Sequence, residues 1–292
     1  MKVFVLISTI DQGITKVPAV LLPREEDVQY VVCWQRTEKG RQPDGGPSGS
    51  IPGNLREEEK AMKLLSERED VTFTTMDGAG LCRSRNRAIQ TALSLMTDAL
   101  EDAILILADD DERFEAGAFE LVRDVYRARP RLDVALLRML NEADGLPFKR
   151  YPEDIIDYKN RPRYYYPSSL EMTMRSRVVL SGLCFDERFG LGSAKLSGGE
   201  EDVFLGEAVK KGLCVKVFPV NLCRTNAATT GRRNVLDVKA LRSKGAVYGR
   251  LLPLWRAFLR SAHEALSLSL RTHRPFTPIF ENIWFGVKYI RS

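Results

Sequence analysis

The sequence predicts an α/β fold: a mixed, mostly parallel sheet flanked by helices, followed by a C-terminal amphipathic helical extension. Two observations lead to this prediction. Short apolar runs alternate with helical patterns over most of the chain, and a helical pattern alone occupies its last part. We therefore expect an α/β domain over residues 1–235 and a helical extension over residues 236–292. A chain of 292 residues, 44% of them hydrophobic, is long enough for both.

Strands are predicted where apolar runs rich in β-branched residues lie between polar segments. They cover residues 2–10, 28–34, 71–76, 103–108, 134–140 and 213–224. Helical periodicity predicts helices over residues 57–68, 85–100, 115–129, 201–211 and 237–270. Residues 168–179 fit a strand or a short helix. Two segments have the composition of loops: residues 40–53, rich in Gly, Pro and Ser, and residues 146–167, rich in Tyr and Pro.

The cysteines and the N-terminus indicate a cytoplasmic protein. The five cysteines are widely spaced, form no CxxC pair and follow no secretory leader, which favours reduced thiols. The apolar run at residues 3–10 is too short to span a bilayer and fits a first buried strand. We expect a cytoplasmic location, with the inner face of the cell membrane as an alternative.

Three adjacent carboxylates follow a buried strand. The segment AILILADDDERF places Asp109, Asp110 and Asp111 at the carboxyl end of the predicted strand, where open α/β sheets bind their ligands. Adjacent acids repel one another unless a cation neutralises them, and a hard divalent ion with oxygen ligands suits this role. Such an ion could offset charge on a departing nucleoside diphosphate. The alternative is a solvated turn that caps the next helix.

A second acidic group begins a helix. In the segment GGEED, Glu201 and Asp202 lie in the first turn after two glycines, where the helix dipole favours ionised carboxylates. A carboxylate there could accept the proton of an attacking hydroxyl, with Asp202 the first choice and Glu201 the second. N-terminal capping of a surface helix is the alternative.

A basic segment precedes the carboxylate triplet. The sequence GLCRSRNRAI carries glycine-flanked arginines at a predicted helix start, which suits a phosphate. Since alternating arginines cannot share one helical face, we expect Arg85 and Asn86 to be the ligands.

Together, the end of the first strand, GLCRSRNRAI, LADDDERF and FDERFGLGSAKLSGGEEDVF resemble family 2 glycosyltransferases over residues 1–235. The resemblance implies a GT-A-type, Rossmann-like fold and an inverting enzyme that uses Mg²⁺ or Mn²⁺. It implies transfer from a nucleotide sugar, expected to be a UDP-sugar, to a glycan or lipid-linked acceptor in bacterial polysaccharide or glycolipid assembly. The transferred group would be a hexosyl or N-acetylhexosaminyl unit.

The resemblance also implies roles for individual residues. Asp109 and Asp111 match the family's DxD, whose last acid reaches the metal, and Asp109 and Asp110 would also face the donor. Asp202 matches the catalytic base, Arg85 the donor-binding arginine and Thr9 a nucleotide contact.

The chain departs from the family pattern in two places. The acid that usually meets the nucleobase is missing, and Gln35 is the expected substitute. The late loop carries no histidine for the metal, although Arg232 and Arg233 in that loop could meet the diphosphate.

The C-terminal extension is basic and amphipathic. Residues 239–292 carry ten Lys and Arg against two Glu, so an anionic partner is expected. The predicted apolar stripe consists of Leu251, Trp255, Phe258, Leu259, Ala262 and Leu266. This stripe could pack on the catalytic domain, or residues 245–292 could lie on an anionic membrane.

Three other functions compete with the glycosyltransferase prediction. A sugar-nucleotide nucleotidyltransferase would need a basic Gly-rich loop after the first strand, and STIDQGITKVP is not one. A non-catalytic sugar- or nucleotide-binding protein would use the acids for a structural ion. Nucleic-acid binding is not expected, because the basic residues follow an apolar-striped helix and no recognised module is present.

Overall fold

The computed structural model describes residues 1–38, 53–96, 102–226 and 236–292. Residues 40–52 of the loop predicted at 40–53 lie outside the described residues, as do Arg232 and Arg233, and Gly53 begins a helix. Nine strands are described: β1 Val3–Ile10, β2 Val28–Arg36, β3 Val71–Asp77, β4 Ile104–Asp109, β5 Arg113–Phe114, β6 Val134–Asn141, β7 Ile156–Asp157, β8 Met172–Arg175 and β9 Val215–Thr225. The described α-helices are α1 Gly53–Ser66, α2 Leu81–Ser94, α3 Ala118–Arg127, α4 Ser176–Leu180, α5 Glu200–Lys210, α6 Val238–Leu251, α7 Leu254–Thr272 and α8 Phe276–Arg291.

The described strands form one mixed sheet, in the order β3-β2-β1-β4-β8-β6-β9-β5, with β7 paired to β9. β1 is parallel to β2 and β4, β2 to β3, and β6 to β9. The short β8 lies antiparallel to both β4 and β6. The six long strands therefore run in one direction, and their carboxyl ends lie at one edge of the sheet.

Helices cover both faces of this sheet. Because side chains alternate along a strand, Phe4 and Leu6 pack in one core cluster with α2 and α5, while Val5 and Ile7 pack in another with α3. Both faces are buried, which explains why the strands read as nearly continuous apolar runs.

Helix α2 begins at Leu81 rather than at residue 85, so it carries the whole arginine-rich segment in its first two turns. The arginines interrupt the apolar helical pattern at this end, so the first turn of the helix was not predicted. Residues 168–179 contain a 3-10 turn, β8 and α4, so both predicted alternatives occur.

The C-terminal extension consists of three helices rather than the predicted single run to residue 270. Pro253 precedes α7 and Pro275 precedes α8, and a proline cannot continue the hydrogen bonds of a helix interior. Helices α6 and α8 approach closely through glycines. A Cβ added to Gly245 would lie 1.7 Å from the main-chain oxygen of Ile283, and one added to Gly286 would lie 1.9 Å from that of Arg242.

Helix α7 does not pack on its neighbours through the predicted apolar stripe. Its buried residues are Ala257, Ser261, Ala265 and Leu268. The side chains of the predicted apolar stripe are largely exposed instead, with Trp255 at 61% and Leu259 at 57%. Periodicity identified the apolar stripe, but the side of α7 that is buried in the protein is the one with mostly small residues. Within the described parts of the chain, no helix has the length and apolar character needed to cross a bilayer.

Helix α6 packs on α5. The hydroxyl of Ser243 accepts a hydrogen bond from the main-chain nitrogen of Ser197 at 2.8 Å. A Cβ added to Gly199 would lie 2.7 Å from the Val247 side chain, and one added to Gly206 would lie 2.6 Å from the Leu251 side chain. The extension therefore touches the segment that carries the GGEED acids.

Candidate active site

Two adjoining cavities lie at the carboxyl ends of β1, β2 and β4. The larger measures about 420 Å³ and the smaller about 230 Å³. Asp109 and Asp111 line both. The acids at the end of β4 therefore lie at the junction of the two cavities. Open α/β sheets bind their ligands at this position, beyond the carboxyl ends of the parallel strands.

The smaller cavity is lined by the ends of β1 and β2. The Thr9 hydroxyl donates to Asp110 Oδ2 at 2.6 Å, and Gln35 Oε1 accepts a hydrogen bond from the Gly80 nitrogen at 2.7 Å. A Cβ added to Gly13 would lie 2.1 Å from Asp110 Oδ2, so only glycine leaves room for this carboxylate. The structure thus brings Thr9, Gln35 and Asp110 to one cavity.

Arg85 joins the two acidic groups. Its side chain is 2% exposed, and Nη2 donates to the Ser169 hydroxyl at 2.6 Å. Its Nη1 lies 3.4 Å from Glu200 and 3.7 Å from Glu201, while Nη2 lies 3.8 Å from Asp109. Acids separated by some ninety residues of sequence therefore meet around one guanidinium.

The carboxylates outnumber this one cation. Burial raises the pKa of Asp109 to about 6; Arg85 opposes the rise and Asp111 adds to it. Burial and the neighbouring Glu200 raise the pKa of Glu201 to about 8. Burial alone would lower the pKa of Arg85, but the surrounding carboxylates outweigh burial and raise it. The site therefore favours a further positive charge.

The Asp202 side chain contacts Tyr158 and Arg161 of the Tyr-rich segment rather than Arg85. The Tyr158 hydroxyl donates to Asp202 Oδ1 at 3.2 Å, and Arg161 Nη2 lies 3.4 Å from the same oxygen. Burial raises the pKa of Asp202, whereas Arg161 and Tyr158 act to lower it. Glu200 and Glu201 line the larger cavity, and Asp202 contacts the Tyr-rich segment beside it.

Two side chains of the larger cavity carry buried polar atoms without a hydrogen-bond partner in the described parts of the chain. They are Glu200 Oε2 and Thr225 Oγ1. An unsatisfied buried acceptor costs stability, so both atoms are available to a bound ligand. Neither residue was predicted from the sequence. Glu200 adjoins the selected pair, but nothing in the sequence distinguishes Thr225.

A buried carboxylate anchors the Tyr-rich segment. Glu171 is fully buried; it accepts hydrogen bonds from Tyr151 at 2.8 Å and Tyr165 at 2.6 Å, and Lys149 Nζ lies 2.6 Å away. Burial raises the pKa of Glu171, and Lys149 counteracts this rise. The network fixes the chain on both sides of Tyr166, which lines the larger cavity.

Asn86 is engaged by the protein itself. Its amide nitrogen donates to the Phe185 oxygen at 2.9 Å, and its amide oxygen accepts from the Phe185 nitrogen at 2.9 Å. The interaction that the structure gives Asn86 is thus a clamp on the FDERF segment rather than a phosphate contact.

The described residues contain no group of three or more His, Cys, Asp or Glu side chains arranged around a common ion position. A metal cage built from the protein alone is therefore absent from this part of the chain. The two carboxylates at the junction of the cavities leave room for ligands from a substrate.

Solved structures with a similar fold include forms of TarS from S. aureus. TarS 1-349 in complex with UDP-GlcNAc aligns over 97% of this chain and 79% of that chain, with a TM-score of 0.59 and 15% identity. TarS 1-349 alone aligns over 100% and 91%, with a TM-score of 0.56 and 14% identity.

A longer TarS structure aligns over 90% of this chain with a TM-score of 0.53 and 14% identity, and the alignment spans 42% of its length. No protein-family model and no curated protein matches the sequence. At such low identity the similarity establishes the fold. The predicted fold class, a GT-A-type mixed and mostly parallel sheet flanked by helices with a C-terminal helical extension, is confirmed.

Proposed function

We propose that this chain is an inverting glycosyltransferase. It transfers a hexosyl or N-acetylhexosaminyl group from a nucleotide sugar, with a UDP-sugar as the expected donor, to a hydroxyl of a glycan or lipid-linked acceptor in the cytoplasm. The observation that carries the proposal is the pair of cavities sharing Asp109 and Asp111. A donor in the smaller cavity would place its anomeric carbon at the mouth of the larger one, where an acceptor could bind.

The smaller cavity suits a nucleotide. Thr9 and Gln35 line it, the Thr9 hydroxyl orients the Asp110 carboxylate there, and Gly80 in its lining has no side chain to obstruct a ligand. TarS was solved with UDP-GlcNAc, a nucleotide sugar, on the same fold. Gln35, in place of an acid, would lie beside the base, with its amide oxygen held by the Gly80 nitrogen and its amide nitrogen 3.4 Å from the Thr9 main-chain oxygen.

The residues present fit a divalent ion. Magnesium binds through one or two carboxylates together with substrate phosphates and water, and Asp109 and Asp111 form such a donor set. Burial raises the pKa of Asp109 to about 6 and Asp111 adds to the rise, so a cation beside the two carboxylates would favour their ionised forms. When bound, the ion would neutralise the charge that develops on the leaving diphosphate.

Asp202 is the proposed general base and Glu201 the second choice. The acceptor hydroxyl passes its proton to the carboxylate while its oxygen forms the new bond to the anomeric carbon, and the bond to the diphosphate breaks. Burial raises the pKa of Asp202, and Arg161 and Tyr158 counteract this rise. Glu201 lines the cavity, but its pKa of about 8 keeps it mostly protonated at neutral pH.

Arg85 acts as a positioning residue in this proposal. Because it holds Glu200, Glu201 and Asp109 together, it sets the distance between the donor side and the acceptor side of the site. Its guanidinium also lies beside Asp109, which lines both cavities, so it could contact a phosphate oxygen of the donor at the junction of the two.

A panel of nucleotide sugars, assayed for released nucleoside diphosphate with and without Mn²⁺, tests the proposal. We expect turnover with one donor class, dependence on the ion, and loss of turnover by at least about 100-fold in Asp202→Asn and Asp111→Asn. Glu207→Gln, on the same helix as Asp202, serves as a matched control and should retain activity.

The product distinguishes the mechanisms. NMR of the anomeric proton should show inverted configuration, and retained configuration would overturn the mechanism. If Asp202→Asn keeps full activity and Glu201→Gln loses it, Glu201 is the base. Donor binding by calorimetry without any turnover or hydrolysis would instead indicate a non-catalytic nucleotide-sugar-binding protein.

A further inference from the structure

The outer side of α7 carries an exposed apolar stripe. Trp255, Leu259, Leu266 and Leu270 follow helical spacing, so their side chains lie along one side of the helix. They are 61%, 57%, 52% and 68% exposed, respectively. The opposite side of α7 packs on the neighbouring helices through small residues. A stripe of large apolar side chains left in solvent over most of a helix requires an explanation.

The apolar surface continues onto α8. Phe258 contacts the rings of Phe280 and Trp284, with centroids 5.7 Å and 5.4 Å away. Phe276 stacks on Phe280 at 5.5 Å and is 39% exposed. The stripe is thus one edge of a wider aromatic surface rather than a set of scattered side chains.

On α7 the exposed Arg side chains beside the stripe have no exposed acid among them, whereas α8 carries one exposed acid, Glu281. Arg256, Arg260 and Arg271 are exposed on α7. The single acid of α7, Glu264, forms an ion pair with Lys244 of α6 and is mostly buried. The exposed surface of α7 is therefore both apolar and cationic.

We propose that α7 docks in the plane of an anionic lipid bilayer. The apolar stripe would enter the boundary between headgroups and acyl chains, while the arginines at its margin would meet lipid phosphates. A second copy of the chain fits less well, because two identical surfaces would bring three exposed arginines of each α7 together, and Glu281 of α8 is the single exposed acid of the two helices. Lipid phosphates supply the missing negative charge.

Vesicle co-sedimentation of the full chain tests this proposal. We expect the chain to bind phosphatidylcholine vesicles that contain phosphatidylglycerol. Binding to pure phosphatidylcholine vesicles should be at least about tenfold weaker, and added salt should weaken binding to the anionic vesicles. Leu259→Glu with Leu266→Glu should reduce binding at least about tenfold, because both side chains lose their apolar contact. Leu180→Glu, on α4 and 47% exposed, should bind as the unchanged chain does.

Trp255 provides a direct readout. Its emission should shift to shorter wavelength on vesicle binding, and Trp255→Phe should still sediment but lose most of the shift. Equal binding by the double glutamate variant, with a native circular dichroism spectrum, would overturn the proposal. A concentration-dependent dimer that is lost in the double variant would also overturn it, since the surface would then join two copies of the chain. Binding to duplex DNA without binding to vesicles would overturn it as well.

Discussion

Removing the Arg85 guanidinium should destabilise the protein in a pH-dependent manner. Arg85→Gln leaves Asp109, Glu200 and Glu201 without their shared cation. Breaking a buried ion pair costs about 3–5 kcal/mol, because the remaining charge stays buried and unpaired. We expect a loss of this size in the free energy of unfolding near pH ~8, measured by urea denaturation followed by circular dichroism.

The loss should be smaller near pH ~5.5. The folded-state pKa values of Asp109, about 6, and Glu201, about 8, lie above those of unfolded chains, so the folded state binds more protons. Stability conferred by these two groups is therefore present at low pH and falls as pH rises through about 6 and then about 8. Without Arg85 these pKa values rise further, which makes the decline with pH steeper.

Two further variants check this reasoning. Adding Glu201→Gln to Arg85→Gln should recover about 0.5–3 kcal/mol near pH ~8, since one unpaired carboxylate is removed. Arg127→Gln removes an exposed arginine from α3 and should leave stability unchanged at either pH. A loss in Arg85→Gln that is below about 1 kcal/mol, or equal at both pH values, would refute the assigned role of Arg85.

Three further predictions address other parts of the structure. Gly13→Ala should displace the Asp110 carboxylate and lower kcat/KM for the donor about 100-fold, measured by diphosphate release, with normal thermal unfolding. Tyr165→Phe should reduce the free energy of unfolding by about 1.5–3 kcal/mol in urea, because the Glu171 carboxylate loses a donor; no change would mean that the network is not formed. Gly286→Ala should cost about 2–3 kcal/mol by calorimetry, since its Cβ meets the main chain of α6, and a stabilised variant would contradict this helix contact.

The sheet was predictable because its signals are local. The strands β1, β2, β4 and β6 are apolar runs that are buried on both faces, and the acids at the end of β4 follow such a run directly. The general rule for parallel strands then placed Asp109 at the ligand edge. Helix ends were less predictable, since the arginines of α2 hide its first turn.

The contacts within the site were not predictable in the same way. Arg85 was expected to bind a phosphate, but its closest described partners are Ser169 and carboxylates, one of them 115 positions away in sequence. Glu171 was missed entirely, because its partners are tyrosines and a lysine of an irregular segment with no period to read. Thr225 Oγ1 is notable only once its burial is known.

The extension shows a limit of amphipathic patterns. Periodicity gave the helical state of α7 correctly and left open what the apolar stripe contacts; in the structure the stripe is exposed, with Leu259 at 57%. A pattern reports that one side is apolar and does not report what covers it. Ala257 and Ala265, together with Ser261 and Leu268, form the buried side instead.

The packing of α6 on α5 bears on how short an active fragment can be. Val247 and Leu251 fill the notches above Gly199 and Gly206, so cutting the chain after residue 235 would uncover both glycines and free the turn that carries Glu201. Such a fragment could keep the smaller cavity, whereas the helix that carries Glu201 beside the larger cavity would become more mobile. Deletion experiments that aim to isolate the catalytic unit should accordingly retain the first helix of the extension.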